Sequence, residues 1–109
     1  MKGSNLGELE EIVLLVVVNL QDDAYGLAIK NYIIHQCGRK VSISTVHATL
    51  HRLEQKGFLN SKYGHTGDNN RGGRPKLLFS ITKSGEASLK SIKELRNKLW
   101  NTAPIMSFE

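Results

Sequence analysis

Hydrophobic positions recur at helical spacing along several segments of the chain. In the first, residues 8–20, apolar side chains occupy nearly every face, and Asn5 with Glu8 three residues later matches a capping box. The β-branched run Val16–Val18 leaves a strand as an alternative, but the flanking residues and the length favour a helix. Because a helix this apolar needs cover on several sides, a partner subunit is expected.

A second helix is predicted from Ala24 to Gln36. Asp22 or Asp23 supplies the capping side chain, and Gly38 ends the helix as C-terminal glycines commonly do. The alternation of apolar and polar residues over Val41–Ser44 then predicts a very short strand.

A third helix is predicted to begin after Ser42 or Ser44 and to end at Gly57. Its apolar positions follow the spacing i, i+4, i+7 and are Val46, Leu50 and Leu53. Its other faces are polar and cationic, with small residues toward the N-terminal half. The pattern therefore predicts one buried stripe and one broad exposed surface on this helix.

A β-hairpin and a last helix complete the pattern. Strands are predicted over Phe58–Tyr63 and Pro75–Ile81, joined by a basic, glycine-rich loop over Gly64–Arg74. Thr82 caps the last helix, predicted over Lys83–Asn101. The sequence thus predicts residues 1–82 as one winged helix-turn-helix unit, residues 83–101 as a helix packed on it, and residues 102–109 as a fraying tail.

Charge is concentrated in the middle of the chain. The 109 residues carry a net charge of +5, and residues 39–83 contain nine basic residues against only Glu54 and Asp68. A basic surface of this kind indicates an anionic partner, with nucleic acid the first candidate and a membrane surface the second. The longest apolar run, residues 12–18, is too short to span a bilayer, and acidic residues interrupt any secretory signal, so a cytoplasmic protein is expected.

The order of the elements predicts a mainly α fold with a small β-hairpin, the winged helix-turn-helix. In this fold a polar-faced helix enters the DNA major groove and a flexible basic hairpin reaches phosphates or the minor groove. The candidate DNA-binding residues are Ser44, Thr45, His47, Ala48, His51, Arg52, Lys62, Arg71, Arg74 and Lys76. The alternatives are an ordinary solvated helix face, a mobile loop, and an ion pair between Arg52 and Glu54 or another acid.

Five segments together resemble the PadR family of bacterial transcriptional regulators. They are Leu6–Glu8, Tyr25–Ile29, Val41–Ile43, Leu50–Phe58 and Ile81–Gly85. The resemblance implies a homodimeric winged-helix repressor that often responds to a ligand. The chain departs from the family pattern at His47, where an aromatic residue is usual, and at Leu77–Phe79, where a tyrosine is usual, so a different DNA register and specificity are expected.

The compact subgroup of this family, which the chain resembles in length, builds its dimer from the first and last helices. The resemblance makes the last helix a C-terminal dimerisation helix and implies a dimer interface of Leu9, Ile12, Val13, Val16, Leu89, Ile92, Leu95, Leu99 and Trp100. Trp100 can either stack on a flat effector or simply pack the dimer contact.

Other kinds of site find little support in the sequence. His47 and His51 have the i, i+4 spacing of metal ligands, but no third ligand cluster accompanies them. Cys37 is the single cysteine, which excludes an intrachain disulfide and leaves a redox switch as a minor alternative. No nucleophile–base pair or phosphate-binding loop is present, so neither an enzyme nor a cofactor is expected.

The sequence therefore predicts a homodimeric repressor that reads a pseudo-palindromic operator in double-stranded DNA and is released by a small hydrophobic or aromatic effector. The alternative is a winged-helix protein-interaction module without specific DNA binding. No membrane partner is expected.

Overall fold

Four α-helices and one hairpin make up the part of the chain that the computed structural model describes, residues 6–65 and 74–104. In chain order they are α1 (Glu8–Leu20), α2 (Gly26–Cys37), α3 (Ile43–Gln55), β1 (Leu59–Gly64), β2 (Lys76–Ile81) and α4 (Lys83–Thr102), with a 3₁₀ turn over Gln21–Asp23. The predicted winged helix-turn-helix with a C-terminal helix is confirmed.

Short side-chain contacts fix the starts of α3 and α4. The Ser42 hydroxyl accepts a hydrogen bond from the Thr45 N–H at 3.1 Å, so Ser42, not Ser44, caps α3. The Thr82 hydroxyl accepts from the Gly85 N–H at 3.0 Å and caps α4, as predicted. At the start of α1, Glu10 accepts from the Gly7 N–H, while Asn5 lies outside the described residues.

Two local predictions are wrong. Asp22 and Asp23 do not cap α2, because they lie in the 3₁₀ turn and α2 begins after Tyr25 without a side-chain cap. Val41–Ser44 forms no strand, because α3 already starts at Ile43. The extended residue that does join the hairpin is Tyr25, which forms an isolated antiparallel bridge with Leu78 of β2.

The hydrophobic core lies where α1, α2 and α3 meet the inner face of the hairpin. Its fully buried residues include Val13, Leu14, Ile29, Ile33, Val46, Leu50, Leu53 and Leu59. α1 packs against α2, α3, α4 and β2, so the single chain supplies most of the cover that this apolar helix needs. A partner subunit is not required to explain its hydrophobicity as a whole.

The two halves of α4 have different surroundings. Its root lies against the turn between α3 and β1, where the Thr82 hydroxyl donates to the Gly57 carbonyl at 2.7 Å and Gly85 is buried against the Phe58 backbone. From Lys93 to Thr102 every residue is exposed. This exposed stretch, about 15 Å long at 1.5 Å per residue, is the projecting half of α4, and Arg96 ties it to α1. No helix among residues 6–65 and 74–104 is long and apolar enough to cross a membrane.

Candidate nucleic-acid interface

The exposed face of α3 is polar, and its N-terminal half carries small side chains. Because an α-helix repeats every 3.6 residues, Ser44, Ala48, His51 and Gln55 lie in line on the side opposite the buried Val46 stripe. All four are exposed, and the first two are small. This face can approach the floor of a groove closely, and it brings together three of the predicted site residues.

Hydroxyl groups cluster at the N-terminus of α3. The Ser42 Oγ lies 3.2 Å from the Ser44 Oγ and donates to the Thr45 Oγ1 at 2.9 Å. The unpaired N–H groups of a helix N-terminus favour negative charge. Ser44 and Thr45 therefore stand at the end of α3 that best suits a phosphate group.

His47 lies on the side of α3 that faces α2. Its ring rests on Gly26, where an added Cβ would come within 2.5 Å of the His47 Nε2. Together with His51, Tyr25 and Leu77 it lines a cleft of about 450 Å³ between α3 and the hairpin. His47 is exposed but occupies the edge, not the centre, of the outward face.

The hairpin is held to α3 through a polar contact. The Ser61 hydroxyl donates to the Glu54 Oε2 at 2.6 Å, which places this face of β1 toward α3. Lys62, the next residue along the strand, lies on the opposite face of the hairpin and pairs in register with Leu78. Lys62 is exposed, but the structure does not bring it to the α3 side.

The remaining wing cations differ in their surroundings. The Lys76 Nζ lies 4.7 Å from the centre of the Tyr25 ring, a cation–π contact that ties β2 to the start of α2. Arg74 is exposed at the beginning of the returning strand. Arg71 lies outside the described residues.

Arg52, a predicted DNA-binding residue, forms an ion pair with α1, and its side chain is 53% exposed. Its Nε lies 3.3 Å from the Glu10 Oε2, and the Lys56 Nζ lies 2.8 Å from the Glu10 Oε1. An ion pair of Arg52 with Glu54 or another acid was one of the alternatives, and the acid is Glu10. Arg52 thus joins α3 to α1 in the folded chain.

The Glu10 carboxylate is charged despite its burial. Burial alone raises its pKa, but hydrogen bonds from Lys56, the Gly7 N–H and Arg52 outweigh that effect and lower the pKa below the ordinary value. Its side chain is only 8% exposed. These three donors hold the buried carboxylate in place, because removing one of them would leave its charge partly uncompensated and destabilise the fold.

Sequence reasoning missed two lysines beside the N-terminus of α3. Lys30 on α2 and Lys40 in the turn before α3 line one shallow cleft together with Ser42. The signal was present in the sequence, because Lys40 lies two residues before the capping serine. Both lysines add positive charge next to the Ser44 end of the outward face.

The predicted dimer residues of α1 require correction. Val13 and Val16 are 0% and 3% exposed and belong to the core of the single chain, so they have no surface to offer a partner. Leu9 and Ile12 are half-buried against the same core. The exposed apolar residues of α1 are others, which the sequence analysis missed: Leu15 and Val18, each 44% exposed.

The predicted dimer residues of α4 form one continuous stripe. Leu89 and Ile92 are half-buried on the domain, whereas Leu95, Leu99 and Trp100 are 57%, 59% and 58% exposed on the projecting half. A groove of about 510 Å³ beside the stripe is lined by Leu15, Leu89, Arg96 and Trp100 among others. Arg96 pairs with Glu11 of α1 at 2.8 Å, and this carboxylate raises the pKa of Arg96 above its ordinary value.

Within the described residues, no three His, Cys, Asp or Glu side chains are placed to hold a metal ion together. His47 and His51 therefore lack a third ligand there. Cys37 is exposed at the end of α2.

Comparison with known proteins relates this architecture to one family. The model of the transcriptional regulator PadR-like family matches residues 13–91. No curated protein sequence matches the chain significantly.

Similar solved structures point the same way. A PadR family transcriptional regulator from Eggerthella lenta is 25% identical with a TM-score of 0.63, over 86% of this chain and 80% of that one. A Streptococcus transcriptional regulator is 22% identical with a TM-score of 0.69, over 85% of both chains. A PadR family regulator from Clostridium difficile is 22% identical with a TM-score of 0.62, over 84% of this chain and 91% of that one.

Proposed function

Because the chain belongs to the PadR-like family of transcriptional regulators, we propose that it is a cytoplasmic, homodimeric repressor. It binds a pseudo-palindromic operator in double-stranded DNA. The observation that carries this proposal is the outward face of α3. Ser44, Ala48 and His51 stand in line on it and are exposed, with Lys30 and Lys40 beside its N-terminal end. A helix face of this kind suits the major groove.

Base and phosphate contacts divide between different residues in this proposal. Ser44, Ala48 and His51 face the base edges, and His47 reaches the side of the groove next to the hairpin. Thr45 and the hydroxyl cluster take a phosphate at the N-terminus of α3. Further phosphates fall to Lys30 and Lys40, beside this face, and to the wing cations Lys62, Arg71 and Arg74.

The uncovered half of the α4 stripe supports the homodimer. The same stripe that packs on the domain at Leu89 continues outward through Leu95, Leu99 and Trp100, each more than half exposed. The projecting α4 of a second copy would fill the groove beside Leu15 and bury both stripes at once. Symmetry then gives two α3 helices, which suits two half-sites about one helical turn apart.

A small hydrophobic or aromatic effector would bind between the two copies in this proposal. The exposed Trp100 ring lies beside Leu99 and Ala103 at the end of the projecting half. A flat ligand stacked there would change the angle between the two DNA-binding units and so lower operator affinity. Since Trp100 is the single tryptophan of the chain, quenching of its fluorescence by planar aromatic compounds tests this step.

Selection of duplexes from a random pool, followed by fluorescence anisotropy, tests the proposed function. We expect the selected duplex to bind about 1,000-fold or more tighter than a scrambled one. If all five cations of each protomer contact phosphates, the slope of log affinity against log salt is about −9 for a dimer, from ten cations at 0.9 each. Equal, weak binding to both duplexes would contradict the proposal and favour the protein-interaction module.

A further inference from the structure

The first turn of α1 is a junction of ion pairs. Each of its three acids pairs with a cation from a different part of the fold. The pairs are Glu8 with Arg39 at 3.1 Å, Glu10 with Arg52 and Lys56 at 3.3 and 2.8 Å, and Glu11 with Arg96 at 2.8 Å. This one turn therefore contacts the turn before α3, the C-terminal half of α3, and α4.

Glu10 is the buried member of the junction, and both of its cationic partners belong to α3. Its side chain is 8% exposed, whereas those of Glu8 and Glu11 are 73% and 18% exposed. Exposed ion pairs contribute little to a fold. A buried carboxylate, by contrast, has to keep its hydrogen-bond donors near it, so the Glu10 contacts fix α3 against α1.

A further chain of hydrogen bonds leads from Glu10 toward the DNA-facing end of α3. Arg52 donates from Nη2 to the Thr49 Oγ1 at 3.4 Å, and the buried Thr49 hydroxyl donates to the Thr45 carbonyl at 2.8 Å. Thr45 stands next to the hydroxyl cluster of the N-terminus. The Arg52 guanidinium is thus held by two contacts, from Nε to Glu10 and from Nη2 to Thr49.

From these contacts we infer that Glu10 is a positioning residue for DNA recognition. It fixes the rotation of α3 about its own axis, and it holds the charges of Arg52 and Lys56 away from DNA phosphates. By withholding two cations at the edge of the interface, Glu10 limits sequence-independent affinity and so preserves the preference for the operator. The inference rests on the proposed function.

The alternative is that Glu10 only stabilises the fold. In that case its loss would weaken binding to all duplexes alike, in step with the loss of folded protein. A positioning role makes a different prediction, because the released cations become available to phosphates. Each additional phosphate that a cation neutralises steepens the salt dependence by about 0.9.

The experiment compares the wild-type chain, Glu10→Gln and Glu94→Gln on the selected and the scrambled duplex over a range of salt concentrations. Glu94 is an exposed carboxylate on α4, so its variant makes the same change in charge far from α3. For Glu10→Gln we expect tighter binding to the scrambled duplex and a selected-to-scrambled affinity ratio at least about 10-fold lower. We also expect a slope steeper by about 2 per protomer, from two cations at 0.9 each.

Glu94→Gln serves as the reference for charge alone. If Glu10→Gln matches Glu94→Gln in ratio and slope, the inference is wrong while the proposed function stands. If the wild-type chain prefers no duplex, the proposed function fails and takes the inference with it.

Arg52→Gln provides a second test that does not depend on the folding of Glu10→Gln, because Glu10 keeps Lys56 and the Gly7 N–H as donors. We expect a lower affinity ratio with an unchanged salt slope, since Arg52 contacts no phosphate in the wild-type complex. A slope that becomes shallower by about 1 per protomer would make Arg52 a phosphate ligand and overturn the inference.

Discussion

Replacing Trp100 by alanine tests whether a second copy covers the projecting half of α4. Trp100 is 58% exposed in the single chain. An aromatic side chain buries about 150–250 Å² when fully covered, so the exposed part offers roughly 90–145 Å² to a partner. At about 25 cal/mol per Å² this area is worth about 2–4 kcal/mol per protomer.

The symmetry of a homodimer doubles this effect. Two copies of Trp100 together contribute about 4–7 kcal/mol if both are covered, and each 1.4 kcal/mol changes an affinity tenfold. We therefore expect Trp100→Ala to raise the dimer dissociation constant by at least about 1,000-fold. Sedimentation velocity over a dilution series from micromolar to nanomolar protein measures this constant.

Leu27→Ala is the matched control for Trp100→Ala. Leu27 is also an exposed apolar residue, at 50%, but it lies on α2 beside the cleft between α3 and the hairpin. Leu27→Ala should leave the dimer dissociation constant unchanged. A wild-type chain that remains monomeric at high concentration, or equal weakening by both variants, would refute the reasoning about α4.

Three further outcomes follow from particular contacts. Gly85→Ala should lower the free energy of unfolding, measured by chemical denaturation, by about 2 kcal/mol. A Cβ there collides with the Phe58 carbonyl, and the gain in helix propensity offsets only about 1 kcal/mol. An unchanged stability would show that α4 does not pack on Phe58. Gly26→Ala meets only the end of the His47 side chain, so it should leave stability within about 0.5 kcal/mol and weaken operator binding by moving that ring. Because the pKa of Glu10 is lowered, its contribution to stability is complete above its ordinary pKa and is lost as the pH falls below that value. Thermal melts of the wild-type chain and Glu10→Gln should therefore converge as the solution is acidified, and parallel curves would contradict it.

Local signals in the sequence were enough to predict the order of the elements. Ser42 and Thr82 act on backbone groups three residues away and Gly38 on one five residues away, so caps of this kind can be predicted from neighbouring residues. The one strand predicted in the wrong place, Val41–Ser44, shows the limit of such patterns. There Val41 is half-buried against the core, but Ile43, the other apolar residue of the alternation, is the exposed first residue of α3.

Longer-range contacts explain what the sequence could not predict about the candidate site. Arg52 is one of several cations around α3, and only the fold brings Glu10, 42 residues away, within reach of it. Likewise, α1 is apolar on nearly every face, so periodicity alone does not say which stripe its own domain covers. The fold buries Val13 and Val16 and leaves Leu15 exposed.

The most direct test of the central claim, that the outward face of α3 reads operator DNA, is the affinity of Ala48→Glu for the selected duplex. Ala48 lies in the middle of that face, and a carboxylate there would meet the negative charge of DNA without a partner. We expect anisotropy titrations to show an affinity at least about 100-fold weaker than that of the wild-type chain, with Ser91→Glu on the exposed side of α4 close to wild type. Equal losses for the two variants, or no loss for Ala48→Glu, would contradict the claim that this face enters the groove.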